Sequence, residues 1–173
     1  MKIVVFADFH GSVSGLQQAI EISKRERPDK TVVCGDLFGW SSPEQAVELV
    51  SKLDGVLYLV KGNNDYATAQ SLLPEQMEES ALMYHFGRTL FFTHGDRYNG
   101  MRIPPMLREN DVLVHGHTHA GHLQLYRGMY VANVGSLARP RNGLPSYMTL
   151  DEQGINLKLP SGEILQQLNW QQK

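Results

Sequence analysis

The sequence predicts an α/β protein in which one mixed β-sheet packs on a second sheet and helices cover the outer faces. Two observations predict this fold class. In the first half of the chain, short β-branched apolar runs alternate with segments of helical periodicity, and in the second half short apolar runs follow one another across tight turns. The 173 residues, 42% hydrophobic and 20% charged, have the size and composition of one domain spanning residues 1–173.

The first half of the chain is typical of two successive βαβ units. Strands are predicted at Lys2–Ala7, Lys30–Cys34 and Val56–Val60, and helices at Val13–Arg27 and Pro43–Leu53. Apolar residues recur at helical spacing within both helices, and Pro28 stops the first of them. Such units imply parallel strands joined by right-handed crossovers.

The second half contains apolar runs separated by short turns, a pattern that is typical of β-hairpins. One hairpin is predicted to join Ala81–Phe86 to Thr89–Thr93 around Gly87-Arg88, and another to join Leu123–Tyr126 to Met129–Val134 through Arg127-Gly128. Further strands are predicted at Asp111–Val114 and Tyr147–Leu150. The change from βαβ units to hairpins indicates mixed sheets.

Charge and hydropathy exclude several classes of partner. Sixteen basic and eighteen acidic residues give a net charge of −2 without a basic run, so nucleic acid is not an expected partner. No apolar run approaches the ~18 residues that a bilayer span needs, and the apolar stretch Ile3–Ala7 is too short for a signal peptide. One cysteine, Cys34, excludes an internal disulfide, and we expect a cytoplasmic protein.

Side chains that can bind metal ions follow five of the predicted strands. They lie in the segments Asp8-Phe9-His10, Gly35-Asp36, Gly62-Asn63-Asn64-Asp65, His94-Gly95 and His115-Gly116-His117-Thr118-His119. Ligands of α/β sheets bind at the carboxyl ends of the strands, so these segments can meet in one cleft. The Gly-Asp and Gly-Asn pairs alone are ordinary turn chemistry, and the His-Gly-His-Thr-His segment is moderately specific for metal. Turns alone do not explain all five segments in this order after apolar strands.

The residue types and their spacing suit divalent cations. Asp8 and His10 are two residues apart, so in an extended backbone their side chains point to the same side and can bind one ion, and the same holds for His117 and His119. Asp36 can bridge two cations because a carboxylate has two oxygens. Two such ions ~3.5 to 4 Å apart form the arrangement used for in-line phosphoryl displacement.

This set of motifs resembles the signature of the calcineurin-like metallophosphoesterases. The length and the plain Asp-x-His-Gly start resemble the small bacterial and archaeal phosphodiesterases of the YfcE and MJ0936 type, and the resemblance spans about residues 1–147. It implies a four-layer αββα sandwich of two mixed β-sheets flanked by helices. It also implies two divalent metal ions, with Mn²⁺ expected first and Zn²⁺, Fe²⁺ or Ni²⁺ as alternatives.

The resemblance implies a role for each matching residue. It places the first ion on Asp8, His10, Asp36 and His119, and the second ion on Asp36, Asn63, His94 and His117. It places Asn63, Asn64 and Asp65 in the catalytic motif. The implied activity is that of a dinuclear phosphodiesterase, in which a metal-bridging hydroxide attacks a small phosphodiester in line with the leaving group. A homo-oligomer is compatible with the sequence.

Position 64 departs from the broad family pattern. The family commonly has histidine there, which protonates the leaving group, whereas this chain has Asn64. An amide can donate a hydrogen bond but cannot deliver a proton at ordinary pH, so the sequence favours substrates with good leaving groups.

Several other side chains lie near the predicted site segments. Phosphate could be bound by loop arginines, and an aromatic group could stack on rings beside the ligand-bearing loops. The arginines are Arg97, Arg102, Arg139 and Arg141, and the aromatic residues are Phe38, Trp40 and Tyr66. We expect His85 and His122 to lie at the surface or in packing contacts, leave His115 unassigned, and expect Cys34 to be a small buried hydrophobe.

Two other functions compete with the phosphodiesterase. The retromer subunit that resembles these enzymes uses the same fold as a non-catalytic scaffold, and the missing imidazole at Asn64 agrees with that alternative, whereas the otherwise complete ligand set opposes it. A nuclease gains little support, because the chain has neither a basic run nor room for a nucleic-acid capping domain.

Overall fold

The computed structural model describes residues 1–39, 42–74 and 76–171. Its three helices are α1 (Val13–Glu26), α2 (Pro43–Val50) and α3 (Ala67–Gln70). Its strands are β1 (Ile3–Phe6), β2 (Lys30–Cys34), β3 (Val56–Val60), β4 (Ser80–His85), β5 (Arg88–Thr93), β6 (Val112–His115), β7 (His122–Tyr126), β8 (Met129–Asn133), β9 (Tyr147–Leu150), β10 (Gly154–Lys158) and β11 (Ile164–Asn169). Every helix and strand predicted from the sequence is present within a few residues of its predicted bounds.

The first sheet has six strands in the order β11-β10-β9-β1-β2-β3. β1 pairs parallel with β2, and β2 pairs parallel with β3, as the two βαβ units predict. β9 joins the other side of β1 in the antiparallel sense, so the sheet is mixed. The carboxyl ends of β1, β2 and β3 therefore lie side by side at one edge.

The second sheet has five strands in the order β4-β5-β6-β8-β7. Its three central strands run parallel, whereas β4 and β7 are attached through the two predicted hairpins. The carboxyl ends of β5 and β6 are neighbours, which places the segments that follow them together. Two mixed sheets confirm the predicted fold class.

The alternation of side chains along β1 shows how the layers pack. Ile3 and Val5 point into the apolar core between the two sheets. Val4 and Phe6 point the other way, into a second core that α1 and α2 cover. Because period-two alternation sends successive side chains to opposite faces, a strand that is apolar throughout has to be covered on both.

The outer face of the second sheet is covered by a loop rather than by a helix among the described residues. Phe91, Leu113 and Val131 form a third core on this face, and Tyr98 and Ile103 from the segment between β5 and β6 pack on it. The two-sheet sandwich is thus confirmed, and its fourth layer consists of irregular backbone. Pro104 and Pro105 interrupt this segment, and consecutive prolines oppose a helix because they lack the main-chain N–H donor.

The hairpin of β10 and β11 was not predicted from the sequence. It extends the first sheet beyond β9. β11 is an edge strand whose sequence ILQQLN is largely exposed, so it lacks the apolar run by which the buried strands are recognised. None of the helices in the described ranges is long and apolar enough to cross a bilayer.

Candidate metal centre

The five polar segments predicted from the sequence meet at one edge of the sandwich. They follow the carboxyl ends of β1, β2, β3, β5 and β6. The side chains that come together fall into two neighbouring clusters of oxygen and nitrogen atoms. Asp8 belongs to both, because its carboxylate lies within 4.8 Å of ligand atoms in each.

The first cluster contains Asp8, His10 and His119. Nε2 of His10 lies 3.0 Å from Nε2 of His119, although 109 positions separate the two residues in sequence. Nε2 of His119 lies 3.8 Å from Oδ1 of Asp8. Two imidazoles and one carboxylate thus converge on a single point.

The second cluster contains Asn63, His94 and His117. Nε2 of His94 lies 2.9 Å from Oδ1 of Asn63 and 3.0 Å from Nδ1 of His117. His117 and His119 therefore face different clusters, and the prediction that this pair binds one ion is wrong. The division of ligands instead agrees with the one that the family resemblance implies.

Asp36 lies between the two clusters. Its Oδ2 is 3.5 Å from Nε2 of His10 in the first cluster and 3.5 Å from Nε2 of His94 in the second. Gly62 permits this position, because a Cβ on Gly62 would come within 2.2 Å of Oδ1 of Asp36. The arrangement is that expected of a bridging carboxylate.

Main-chain carbonyl groups fix the tautomers of two histidines. Nδ1 of His94 lies 3.1 Å from the carbonyl oxygen of Cys34, and Nδ1 of His119 lies 3.0 Å from that of Arg139. A carbonyl oxygen only accepts, so in both rings Nδ1 carries the proton and Nε2 presents a lone pair to its cluster. This is the tautomer that a metal-binding histidine needs when it coordinates through Nε2.

The donor set fits divalent cations. Lone pairs of His94 and of Asn63 face each other at 2.9 Å, a contact that repels unless a positive charge lies between the atoms. Imidazole, amide and carboxylate ligands suit Mn²⁺, Zn²⁺, Fe²⁺ and Ni²⁺. The residues present therefore fit the metal ions that the sequence implies.

The two carboxylates lack cationic partners among the described residues. Asp8 and Asp36 are 0% and 2% exposed, and only histidines lie within ion-pair distance of them there. Burial raises the pKa of Asp8, and the charge of Asp36 raises it further, to about 8. Burial also lowers the pKa of His10 and of His119, which keeps these rings neutral and able to bind cations.

The backbone of the site is strained. Nine residues other than glycine have positive φ angles among the described residues, and five of them are predicted metal ligands: Asp8, His10, Asp36, His117 and His119. The expectation that Asp8 and His10 project together from extended backbone is wrong, since both adopt left-handed conformations that redirect their side chains. Such conformations cost of order 1–3 kcal/mol each and concentrate at functional sites.

The carboxylate of Asp65 faces the main chain of the ligand-bearing loops. It is 3% exposed and accepts hydrogen bonds from the main-chain N–H groups of Asp36, Phe38 and Gly62 at 2.7–2.9 Å. Both oxygens are therefore engaged by the backbone of two ligand-bearing loops. Burial raises the pKa of Asp65, although these N–H donors oppose the shift.

Asn64 contacts the bridging carboxylate directly. Its side-chain amide donates to Oδ2 of Asp36 at 2.8 Å, and its main-chain N–H donates to Oδ1 at 2.8 Å. The amide thus lies beside the carboxylate that stands between the two clusters. It supplies a hydrogen-bond donor at this position but no acid.

Ser136 is a positioning residue that the sequence analysis missed. It is fully buried, its hydroxyl donates to the carbonyl oxygen of Asp8 at 2.9 Å, and it accepts from the main-chain N–H groups of Ala138 and Arg139. It therefore joins the loop of Asp8 to the loop whose carbonyl holds His119. The signal was available, because Ser136 follows Gly135 just beyond the end of β8.

The four loop arginines separate into two groups. Arg97 pairs with Glu79 at 3.3 Å, and Arg102 lies over the ring of Tyr98. Arg139 and Arg141 lie close enough to the clusters for their charges to contribute to the lowered pKa of His119, after the larger effect of burial.

The three aromatic residues also differ in position. Phe38 is buried in the core beneath α1 and α2, so it is not available for stacking. Tyr66 is exposed beside His10 and Asn64. Trp40 lies outside the described residues.

The remaining histidines and the cysteine lie outside the two clusters. His115 is buried beside Asn133, and burial lowers its pKa to about 4. His122 is exposed, and His85 is partly exposed and packs at a tilt against Phe86. Cys34 is fully buried in the core between the sheets, as expected, and burial raises the pKa of its thiol.

The chain is similar in sequence to known phosphodiesterases. The chain is 28% identical over 169 residues to phosphodiesterase YfcE of Escherichia coli K12, covering 91% of each protein. It is 24% identical over 160 residues to phosphodiesterase MJ0936 of Methanocaldococcus jannaschii, covering 88% of this chain and 94% of that protein.

Solved structures show the same fold. The structure of the phosphoesterase YfcE from Escherichia coli matches with a TM-score of 0.91 at 26% identity and covers 99% of this chain and 100% of that one. Vps29 of Entamoeba histolytica in complex with Zn²⁺ matches with a TM-score of 0.68 at 18% identity, over 99% of this chain and 100% of that one. Finally, residues 1–154 match the calcineurin-like phosphoesterase superfamily domain, so the chain belongs to this superfamily.

Proposed function

We propose that the protein is a metal-dependent phosphodiesterase with a dinuclear centre that hydrolyses a small phosphodiester. The position of Asp36 carries this proposal. Its Oδ2 lies equally far, at 3.5 Å, from a histidine nitrogen of each cluster. A site for one ion needs only one cluster of imidazoles beside this carboxylate. A pair of ions that share a bridging oxygen needs a cluster on each side of it.

The residues of the chain prepare the site for in-line displacement. When bound, two divalent cations lower the pKa of coordinated water and neutralise charge on the phosphoryl oxygens. Asp36 sets the separation of the two clusters, and the carbonyl groups of Cys34 and Arg139 hold two imidazoles in the coordinating tautomer. Asn64 offers its amide to an oxygen of the substrate. The roles of Arg139 and Arg141 are to add positive charge on the side of His119.

The proposal extends to the metal and the cellular location. Mn²⁺ is the first expectation because carboxylate oxygens accompany the imidazoles at both clusters and an amide oxygen joins the second, and Zn²⁺, Fe²⁺ and Ni²⁺ accept the same ligands. We propose a cytoplasmic location, because the cysteine Cys34 is buried and free, so the fold needs no oxidising compartment.

Hydrolysis of bis(4-nitrophenyl) phosphate tests the proposed activity. We expect turnover when the metal-stripped protein is supplied with Mn²⁺, Ni²⁺ or Zn²⁺, and none in the presence of chelator. Elemental analysis of the active protein should give about two ions per chain. A protein that binds two ions but turns over no diester with any of these metals would not be a phosphodiesterase.

A non-catalytic scaffold is the second candidate function. It is favoured by Asn64, which cannot act as an acid, and by the likeness of the fold to Vps29. The ligand set argues against it, because a scaffold does not require five strained metal ligands. Turnover separates the two functions: a scaffold that holds metal, as Vps29 of Entamoeba histolytica holds Zn²⁺, would hydrolyse no diester with any of the added metals.

A further inference from the structure

We propose that Tyr66 forms a wall that binds an aromatic ring of the substrate, so that the site selects phosphodiesters carrying an aryl or heteroaromatic ester group. This inference rests on the proposed function, because it places the phosphoryl group at the two clusters. Two observations support the inference: a cavity lies beside the clusters, and hydrogen bonds hold the backbone of Tyr66 at that cavity.

The cavity opens directly from the ligand atoms. It has a volume of about 290 Å³ and is lined by His10, Gly39, Asn64 and Tyr66. His10 belongs to the first cluster, and the amide of Asn64 contacts Asp36 between the clusters. An ester group on a phosphorus atom held at the clusters can therefore extend into this cavity and reach the ring of Tyr66.

Tyr66 presents its ring on a fixed backbone. Its carbonyl oxygen accepts hydrogen bonds from the main-chain N–H groups of Ala69 and Gln70, both at 3.0 Å, and thereby begins α3. The side chain of Gln70 in turn donates to the carbonyl oxygen of Asp65 at 2.6 Å. Although its backbone is held in this way, Tyr66 is 64% exposed. A ligand ring stacked on it would cover apolar surface at little cost in conformational freedom.

The chemistry of Asn64 points to the same class of substrate. In the proposed reaction the water oxygen gives up a proton to solvent and bonds to phosphorus, while the bond from phosphorus to the ester oxygen breaks and its electron pair stays on the ester oxygen. Asn64 cannot protonate the departing oxygen. An aryl oxide can depart without a proton because its conjugate acid is far stronger than an alcohol, with a pKa near 10 for a simple phenol. The lack of an acid at Asn64 and the exposed ring of Tyr66 thus both favour aryl esters.

Binding of two matched phosphonates to the Mn²⁺-loaded protein tests this inference without turnover. Benzylphosphonate replaces the ester oxygen of an aryl phosphate by a methylene group, and ethylphosphonate has the same headgroup without the ring. Isothermal titration calorimetry should show that Tyr66→Ala weakens benzylphosphonate binding about 3- to 10-fold and leaves ethylphosphonate binding unchanged. Tyr66→Phe should bind both ligands as the unaltered protein does.

Tyr84→Ala is the matched control, because Tyr84 is 70% exposed but lies on the edge strand β4 and does not line the cavity. This variant should bind both ligands normally. An equal loss of both phosphonates in Tyr66→Ala, or no loss of either, would overturn the inference. A loss in Tyr66→Phe as large as in Tyr66→Ala would also overturn it and assign the effect to the hydroxyl. If neither phosphonate binds the metal-loaded unaltered protein, the proposed function itself fails.

Discussion

Carboxylates near the two ends of strand β1 lie in opposite electrostatic settings. Near the amino end, Glu26 at the end of α1 accepts hydrogen bonds from Lys2 at 3.0 Å, Lys158 at 3.0 Å and Tyr147 at 2.7 Å. Burial alone would raise the pKa of Glu26, but these donors outweigh it and lower the pKa to about 2. Beyond the carboxyl end, burial and the charge of Asp36 raise the pKa of Asp8 to about 8.

The difference separates a carboxylate that stabilises the fold from carboxylates that are kept for a ligand. The fold supplies two lysines to Glu26, whereas in the described part of the chain no lysine or arginine lies within ion-pair distance of Asp8 or Asp36. Uncompensated buried charge is costly, and a cation that binds there recovers that cost as binding energy. The following predictions test whether the two ends differ in this way.

Asp36→Ala should have the largest effect. The substitution removes a carboxylate whose Oδ2 lies 3.5 Å from Nε2 of a histidine in each cluster. Loss of several kcal/mol of transition-state stabilisation corresponds to a fall in kcat/KM of at least about 10³-fold. Elemental analysis should show fewer than two ions per chain. Asp54→Ala, which alters an exposed aspartate, is the control and should retain both.

If Asp36→Ala retains two ions and normal turnover, the carboxylate of Asp36 is not needed for metal binding. The clusters would then be held together by Asp8, which also lies near ligand atoms of both. The corresponding Asp8→Ala variant would be expected to show the loss instead.

Asp65→Asn should have the next largest effect. The amide keeps the size of the side chain but places its NH₂ group against main-chain N–H donors, so at least one of three buried hydrogen bonds is lost. We expect metal affinity to fall about 10- to 100-fold, as for other groups that orient ligands, and the free energy of unfolding to fall by about 1–3 kcal/mol. Calorimetric metal titration and urea unfolding measure the two effects. Unchanged metal affinity would show that the loops of Asp36 and Asn63 hold their positions without Asp65.

The sequence predicted the positions of these segments better than their geometry. The strand Lys30–Cys34 was predicted with its observed bounds, because a β-branched run ends abruptly at Gly35-Asp36. Each of the other predicted ligand segments likewise follows an apolar run. The left-handed backbone of Asp8 and His117 was not predictable, since neither residue type requires it and tertiary contacts impose it. Tertiary contacts also decide that the carboxylate of Asp65 accepts hydrogen bonds from main-chain N–H groups, and that Tyr66 is exposed whereas Phe38 is buried. The sequence could therefore show neither.

Asn64→His should have a smaller effect, and it tests the chemistry of the site beyond the carboxyl end of β1. A histidine restores a group that can deliver a proton to the leaving oxygen, next to Asp36. We expect kcat on a diester with a poor alkyl leaving group to rise about 10-fold, and kcat on bis(4-nitrophenyl) phosphate to change little, because nitrophenolate departs unaided. Parallel rate measurements on the two substrates check this. Equal changes on both would show that leaving-group protonation does not limit the reaction.

Glu26→Gln should have the smallest effect on catalysis and a measurable one on stability. The folded-state pKa of about 2 lies below the ordinary value of 4.5, so ionised Glu26 stabilises the fold above pH 4.5, and this stabilisation is lost as the pH falls towards 2. The substitution should therefore lower the free energy of unfolding by about 2 kcal/mol at pH 7, and by progressively less between pH 4.5 and 2. Urea unfolding across this range measures the difference, and Glu48→Gln, which alters an exposed pair with Lys52, is the control.

Because none of the predicted metal ligands lies near the amino end of β1, kcat and metal content should not change in Glu26→Gln. A loss of metal content in Glu26→Gln would mean that the two ends of β1 are coupled.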